Sequence, residues 1–167
     1  MNTSNYWIEK LKLEKHPEGG FFTELYRSSE SINKNALPAR YSGSRNFATS
    51  IYFLLEGGDF SAFHRLQSDE IWHFYQGTAL ELFVLSTDGE LQHYLLGRDF
   101  DAGERLQAVI TKDHWFAARV RDKAGYALVG CTVSPGFHFD DFELANQSKL
   151  IRQFPSHEKL VRELTIR

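Results

Sequence analysis

Apolar and polar positions alternate with a period of two through most of the middle of the chain. Residues 21–27, FFTELYR, put Phe22, Glu24 and Tyr26 on one side and Phe21, Thr23, Leu25 and Arg27 on the other. That is the period of a half-buried strand. Denser apolar runs follow at 47–55, 80–85, 91–96, 106–110, 114–120 and 126–133. Turn signals recur about every 8–12 residues, and Thr87, Asp88 and Gly89 read as an Asp-Gly hairpin turn. The pattern changes at the two ends. Trp7, Ile8 and Leu11 share one helical face over residues 5–14, with Ser4 or Asn5 as the cap. Residues 140–152 and 156–166 carry helical spacing on either side of Pro155, with Ser156 as a cap. The expectation is an all-β antiparallel sandwich or barrel with short helices at the N- and C-terminal ends. It forms one domain over 1–167, with a core at about 21–134. Residues 28–44 are polar and long for a structureless connection, which suggests a lid or a partner contact.

The stretch 58–77, GDFSAFHRLQSDEIWHFYQG, carries the densest chemistry. It reads as strands 61–66 and 70–75 joined by a turn at 67–69. Such a hairpin sets the His64 imidazole and the Glu70 carboxylate on one wall. Alternation then places Trp72 and Phe74 on the face of Glu70, and Ile71, His73 and Tyr75 on the other. Burial among rings favours a neutral carboxyl, and a nearby imidazolium opposes that. A His–Glu pair with opposed shifts could exchange protons near neutral pH.

Composition narrows the function classes. The chain has 167 residues and 14% aromatics, which suits a strand-rich fold. A formal charge of -3 with no basic block argues against nucleic acid as a partner. Cys131 is the single cysteine, so an internal disulfide and a thiolate metal cluster are excluded. It sits in an apolar run and reads as a small buried hydrophobe. No apolar run has the roughly 20 residues of a membrane helix, and residues 1–10 lack a signal-peptide core. A cytoplasmic location is expected, with no membrane partner.

The spacing Gly58-x5-His64-x-Leu66-x3-Glu70-x6-Gly77 resembles the first cupin motif. Leu66 stands where that motif has a second histidine, and Phe116 stands where the second motif has its metal-binding histidine. Four segments resemble more specifically cupin family 5, a family of unassigned function in the RmlC-like cupin superfamily. They are HPEGGFFTELYRS (16–28), HRLQSDEIWHFYQG (64–77), TKDHWFAA (111–118) and SPGFHFDDFELA (134–145). The resemblance implies a double-stranded β-helix jelly roll, usually a homodimer. Metal cupins of this kind use three His and one Glu. The matching positions here are His64, Leu66, Glu70 and Phe116, of which two can donate a lone pair. No tightly bound cofactor is expected, and a divalent metal on His64 and Glu70 is the lesser alternative.

Three functions stay open. In the first, an enzyme without a tightly held metal epimerises or isomerises a sugar or sugar nucleotide. His64 is the base and Glu70 orients it or polarises the substrate. Trp72, Phe74 and Phe116 are dry walls, and Glu24 and His73 border the pocket. In the second, a binding or sensing module holds an aromatic or apolar small molecule without turnover. The third is a metal-dependent oxygenase or isomerase. His138, Asp140, Asp141 and Glu143 suggest a metal cluster by composition, but a solvated loop and helix start account for them better.

Overall fold

The computed structural model describes residues 3–166. Its first element, helix α1 (Ser4–Leu11), is capped by the Thr3 side chain and ends at Lys12, which takes a left-handed conformation. The strands are β1 (Glu14–Lys15), β2 (Phe21–Arg27), β3 (Ser31–Ile32), β4 (Arg45–Asn46), β5 (Thr49–Glu56), β6 (Phe60–Leu66) and β7 (Asp69–Gly77). They continue with β8 (Leu80–Leu85), β9 (Leu91–Leu96), β10 (Gln107–Ile110), β11 (Trp115–Val120), β12 (Tyr126–Ser134) and β13 (Phe142–Leu144). Helices α2 (Gln147–Gln153) and α3 (Glu158–Glu163) close the chain.

Two antiparallel sheets face each other as a jelly roll. One has the order β1-β2-β5-β12-β7-β10 and the other β13-β6-β11-β8-β9. The space between them is filled by alternate residues of nearly every long strand, including Phe53, Leu55, Trp72, Phe74, Leu82, Phe116, Val129 and Cys131. The intervening residues of β8 and β11 turn the other way. Phe83, Leu85, Trp115 and Ala117 pack under α2 and α3, against Leu150, Phe154, Val161 and Leu164. Both faces of these strands are therefore covered, which explains why 80–85 reads as nearly unbroken apolar sequence. On the outside of the six-stranded sheet, Leu54 and Leu128 pack against Leu13, Trp7 and Ile8 of the N-terminal segment.

The hairpin expected over 61–75 does not form. Strand β6 pairs with β11 and β13, whereas β7 pairs with β10 and β12. The two strands belong to opposite sheets, and residues 67–68 carry the chain across the corner between them. Burial decides this. Phe63, His64 and Leu66 of β6, and Glu70, Trp72 and Phe74 of β7, are all buried, and an isolated hairpin could not cover that much surface. The β8–β9 hairpin does form, in register from Leu80–Leu96 to Leu85–Leu91.

The C-terminal segment also departs from expectation. Residues 139–141 form a single 3-10 turn, 142–144 add to the free edge of β6, and α2 begins only after Asn146, whose side chain caps it. Ser156 is not a cap: Pro155 opens a 3-10 turn that leads into α3. The loop over 28–44 has structure of its own. It holds the β3–β4 pair and a turn at Lys34–Ala36. Tyr41, only 1% exposed, reaches the corner with its hydroxyl, which lies 2.8 Å from Ser68 Oγ and 3.2 Å from the Gln67 carbonyl oxygen. Among the described residues no helix is long and apolar enough to cross a membrane.

Candidate functional site

A cavity of about 220 Å³ opens between the sheets at the β6–β7 corner. Its floor carries His16, Glu18, His64, Glu70 and Cys131. Its walls include Phe22, Ile51, Phe53, Trp72, Val133 and Phe142, and Glu24, Arg27 and His138 stand at its mouth. The floor is sealed: His64, Glu70 and Cys131 are 3%, 6% and 2% exposed. The mouth is open, with the side chains of Arg27, Glu24 and His138 at 36%, 40% and 50%.

The partner of His64 is Glu18, not Glu70. Glu18 Oε2 lies 3.0 Å from His64 Nε2, and Ser61 Oγ donates to Glu18 Oε1 at 2.7 Å. The turn at 16–20 brings Glu18 there. The Ala62 N–H donates to the Glu18 carbonyl, which ties the turn to β6. Gly19 and Gly20 have φ of 111° and 70°, and a Cβ on Gly19 would stand 2.1 Å from the Phe60 carbonyl oxygen. Only glycine permits both the left-handed turn and that approach. The sequence signal for Glu18 was His-Pro-Glu-Gly-Gly, a carboxylate held in a turn whose shape a proline and two glycines fix.

Proton positions follow from the partners. His64 Nδ1 lies 2.7 Å from the Ala62 carbonyl oxygen, so Nδ1 carries hydrogen. One proton then remains between Nε2 and Glu18. Burial holds the His64 pKa down at about 3 and pushes that of Glu18 well up, the nearby Glu70 charge adding to the latter. The proton therefore sits on Glu18 and is donated to Nε2, leaving a neutral pair. His16 Nδ1 accepts the Glu18 N–H at 3.3 Å, and burial lowers its pKa to about 4. Both imidazoles on the floor are neutral at pH 7.

Glu70 is less constrained. Its Oε2 is buried and has no hydrogen-bond partner, and the same holds for Trp72 Nε1. The indole N–H leans toward the carboxyl without reaching hydrogen-bond geometry, so its help to the charged form is that of a dipole rather than a bond. The neighbouring Cys131 thiol favours the charged form in the same way. Burial outweighs both and raises the Glu70 pKa to about 7. The same burial, with the Glu70 charge beside it, pushes the Cys131 thiol well up and keeps it protonated.

The other sequence candidates divide between the cavity and its surroundings. Trp72 and Glu24 line the cavity. Phe116 lies beneath it, its ring centroid 4.0 Å from that of His64. Phe74 lies deeper between the sheets, outside the lining. His73 faces away, with its nitrogens 3.1 Å from Gln107 Nε2 and 3.3 Å from Thr132 Oγ1. Glu24 grips Arg27 through both carboxylate oxygens, at 2.9 and 2.7 Å. The acidic run at 138–143 is dispersed. Asp141 is no solvated residue but makes a buried pair with Arg45 at 2.5 Å, while Glu143 pairs with Arg65. The Arg45–Asp141 tie anchors the segment that carries Phe137, Phe139 and Phe142 to the cavity.

The donor set does not fit a tightly held divalent ion. Leu66 and Phe116 have no lone pair to give, and both ring nitrogens of His64 are committed. Among the described residues no group of three or more His, Cys, Asp or Glu could hold one.

A two-sheet jelly roll with a small pocket at one end of the sandwich defines a cupin. The chain belongs to the Cupin_5 family of the cupin superfamily (DUF985), whose model matches residues 5–145. It is 41% identical to protein SO0799 of Shewanella oneidensis, whose crystal structure superposes with a TM-score of 0.90 over 99% of each chain. A hypothetical protein from Leishmania major is 34% identical, with a TM-score of 0.90 over 99% of this chain and 100% of that one. The uncharacterized protein YML079W of Saccharomyces cerevisiae is 27% identical over 91% of this chain and 80% of its own length.

Proposed function

We propose that this cupin binds one compact small molecule on the Glu70 carboxyl. What carries the reading is Glu70, which lines an apolar cavity and whose Oε2 is buried without a partner. Leaving such an atom unpaired costs about 1–3 kcal/mol, a cost that a ligand donor would remove. Size sets the class of ligand. An apolar cavity of about 150 Å³ takes benzene, so about 220 Å³ suits a single substituted ring or a short chain. A whole sugar nucleotide exceeds it. The test is a thermal-shift and calorimetric screen of single-ring and short-chain metabolites against wild type and Glu70→Gln. Ligands that stabilise wild type and lose that effect in Glu70→Gln are expected. A panel without one Glu70-dependent ligand would retire the reading.

A second reading, proton transfer of the isomerase or epimerase type, is favoured by two carboxyls in different surroundings within one cavity. Glu70 as carboxylate takes a proton from carbon beside a carbonyl and returns it to the same or the adjacent carbon. His64 serves here as the partner of Glu18, because neither ring nitrogen is free to act as the base. Deuterium uptake from D₂O into dihydroxyacetone and cyclohexanone, followed by NMR, tests this. Exchange no faster with wild type than with Glu70→Gln would count against it.

We also propose a cytoplasmic homodimer. Leu25 and Val109, on outer strands β2 and β10, are 61% and 57% exposed, and uncovered apolar edges invite pairing. Light scattering at micromolar concentration should give about twice 19.3 kDa, and a monomer mass would refute the pairing.

A further inference from the structure

Among the described residues the cavity lining contains acids but no free cation. The floor imidazoles are neutral: His16 Nδ1 accepts a backbone N–H, and His64 uses both nitrogens. Arg27 at the mouth is neutralised by Glu24 and donates in addition to Asn46 Oδ1 and the Phe137 carbonyl. An anionic group entering this space would meet Glu18 and Glu70 with no positive partner, and burying it so would be costly. The walls are rings set at steep angles to one another. Phe53 and Trp72 meet at 68° with centroids 5.7 Å apart, and His16 meets Phe22 at 87° and 4.6 Å. Rings arranged this way turn π faces in several directions, the surroundings that attract a desolvated cation.

We infer that the ligand is a compact organic amine taken up as its cation, with Glu70 as counter-ion and the aromatic walls around its charge. The inference deepens the binding function proposed above and rests on it. It accounts for two otherwise unexplained features, an unpaired buried carboxylate oxygen and a ring-lined void without positive charge. The groups facing Glu70 are consistent with it. They are Cys131 from β12, His64 from β6, and His16 and Glu18 from the 16–20 turn, and none is a cation at neutral pH.

Isothermal titration of wild type and Glu70→Gln with benzylamine, benzyl alcohol and benzoate tests the inference. The three probes share a ring and differ in charge. Benzylamine is expected to bind about tenfold or more tighter than the alcohol, and benzoate not to bind. With Glu70 titrating near 7, benzylamine affinity should rise about tenfold from pH 6 to pH 8. Titrations in buffers of different ionisation enthalpy should show nearly one proton released at pH 6 and almost none at pH 8. In Glu70→Gln the pH dependence and the proton release should vanish. The wild-type data stand alone if that variant folds poorly. Glu70-dependent binding of the alcohol or of benzoate at least as tight as the amine would overturn the amine class and leave the pocket reading intact. Amine binding that does not change with pH would overturn the role of Glu70 as counter-ion. No binding of any of the three would overturn both proposals.

Discussion

Replacing Glu70 by glutamine should make the protein more stable at pH 8 and leave it nearly unchanged at pH 4.5. The folded-state pKa is about 7 against an ordinary 4.5, because burial removes water from the carboxylate. Below 4.5 the group is protonated whether the chain is folded or not, and it contributes no pH dependence. Between 4.5 and 7 the folded protein holds more protons than the unfolded chain, so stability falls as pH rises. Above 7 the loss is complete. Raising the pKa from 4.5 to about 7, at about 1.4 kcal/mol for each factor of ten in proton affinity, is worth roughly 3–3.5 kcal/mol. For a chain of this size that is a melting shift of roughly 6–12 °C. Glutamine keeps the shape and cannot ionise, so the drop that Glu70 causes should be missing from its curve, which keeps only what Glu18, His16 and His64 contribute. Urea denaturation of both proteins at half-unit steps from pH 4.5 to 8.5 reads the difference directly. Glu18, whose own pKa is raised partly by the Glu70 charge, adds a coupled contribution of the same sign. Parallel curves across the range would refute the reasoning: Glu70 would then be ionised at its ordinary pKa, and the cavity floor would be wetter than its burial indicates.

Glu18→Ala should cost about 1–3 kcal/mol in chemical denaturation, because His64 Nε2 loses its buried partner; an unchanged midpoint would show that water takes the place of the carboxyl. Asp141→Asn should cost roughly 3–5 kcal/mol, since it leaves the Arg45 guanidinium buried without a counter-charge, and urea midpoints of the variant and of an Arg45→Met/Asp141→Leu double variant should separate the loss of the pair from the stranded charge. Metal content of untagged protein by mass spectrometry should fall far below one equivalent, and a stoichiometric ion lost in His64→Ala would show that Glu18 turns away from His64 to share it.

Strand positions were legible because their cause is local. Alternation and flanking turns place β2, β8, β9 and β12 within a residue of where they lie. Pairing was not legible, because it depends on distant partners: β12 inserts between β5 and β7, and nothing in residues 58–77 announces it. Hence His64 and Glu70 were singled out, yet the contact assumed between them was wrong. They approach from opposite sheets, and the carboxyl that meets His64 comes from the 16–20 turn. The helical spacing at 140–146 misled for a similar reason. The open edge of β6 and the buried guanidinium of Arg45 offer those residues more than a helix does.

The crossing of the chain from one sheet to the other at residues 67–68 makes the pocket a gauge of the whole sandwich. His64 rides on one sheet and Glu70 on the other, so the gap between them is the spacing of the two sheets, fixed by side chains far from either residue. Shaving a residue such as Leu82 or Val84 would narrow or tilt that gap without touching the cavity. Ligand size preference should therefore drift with substitutions in the distant core, and two homologous chains with identical lining residues can still differ in what they accept.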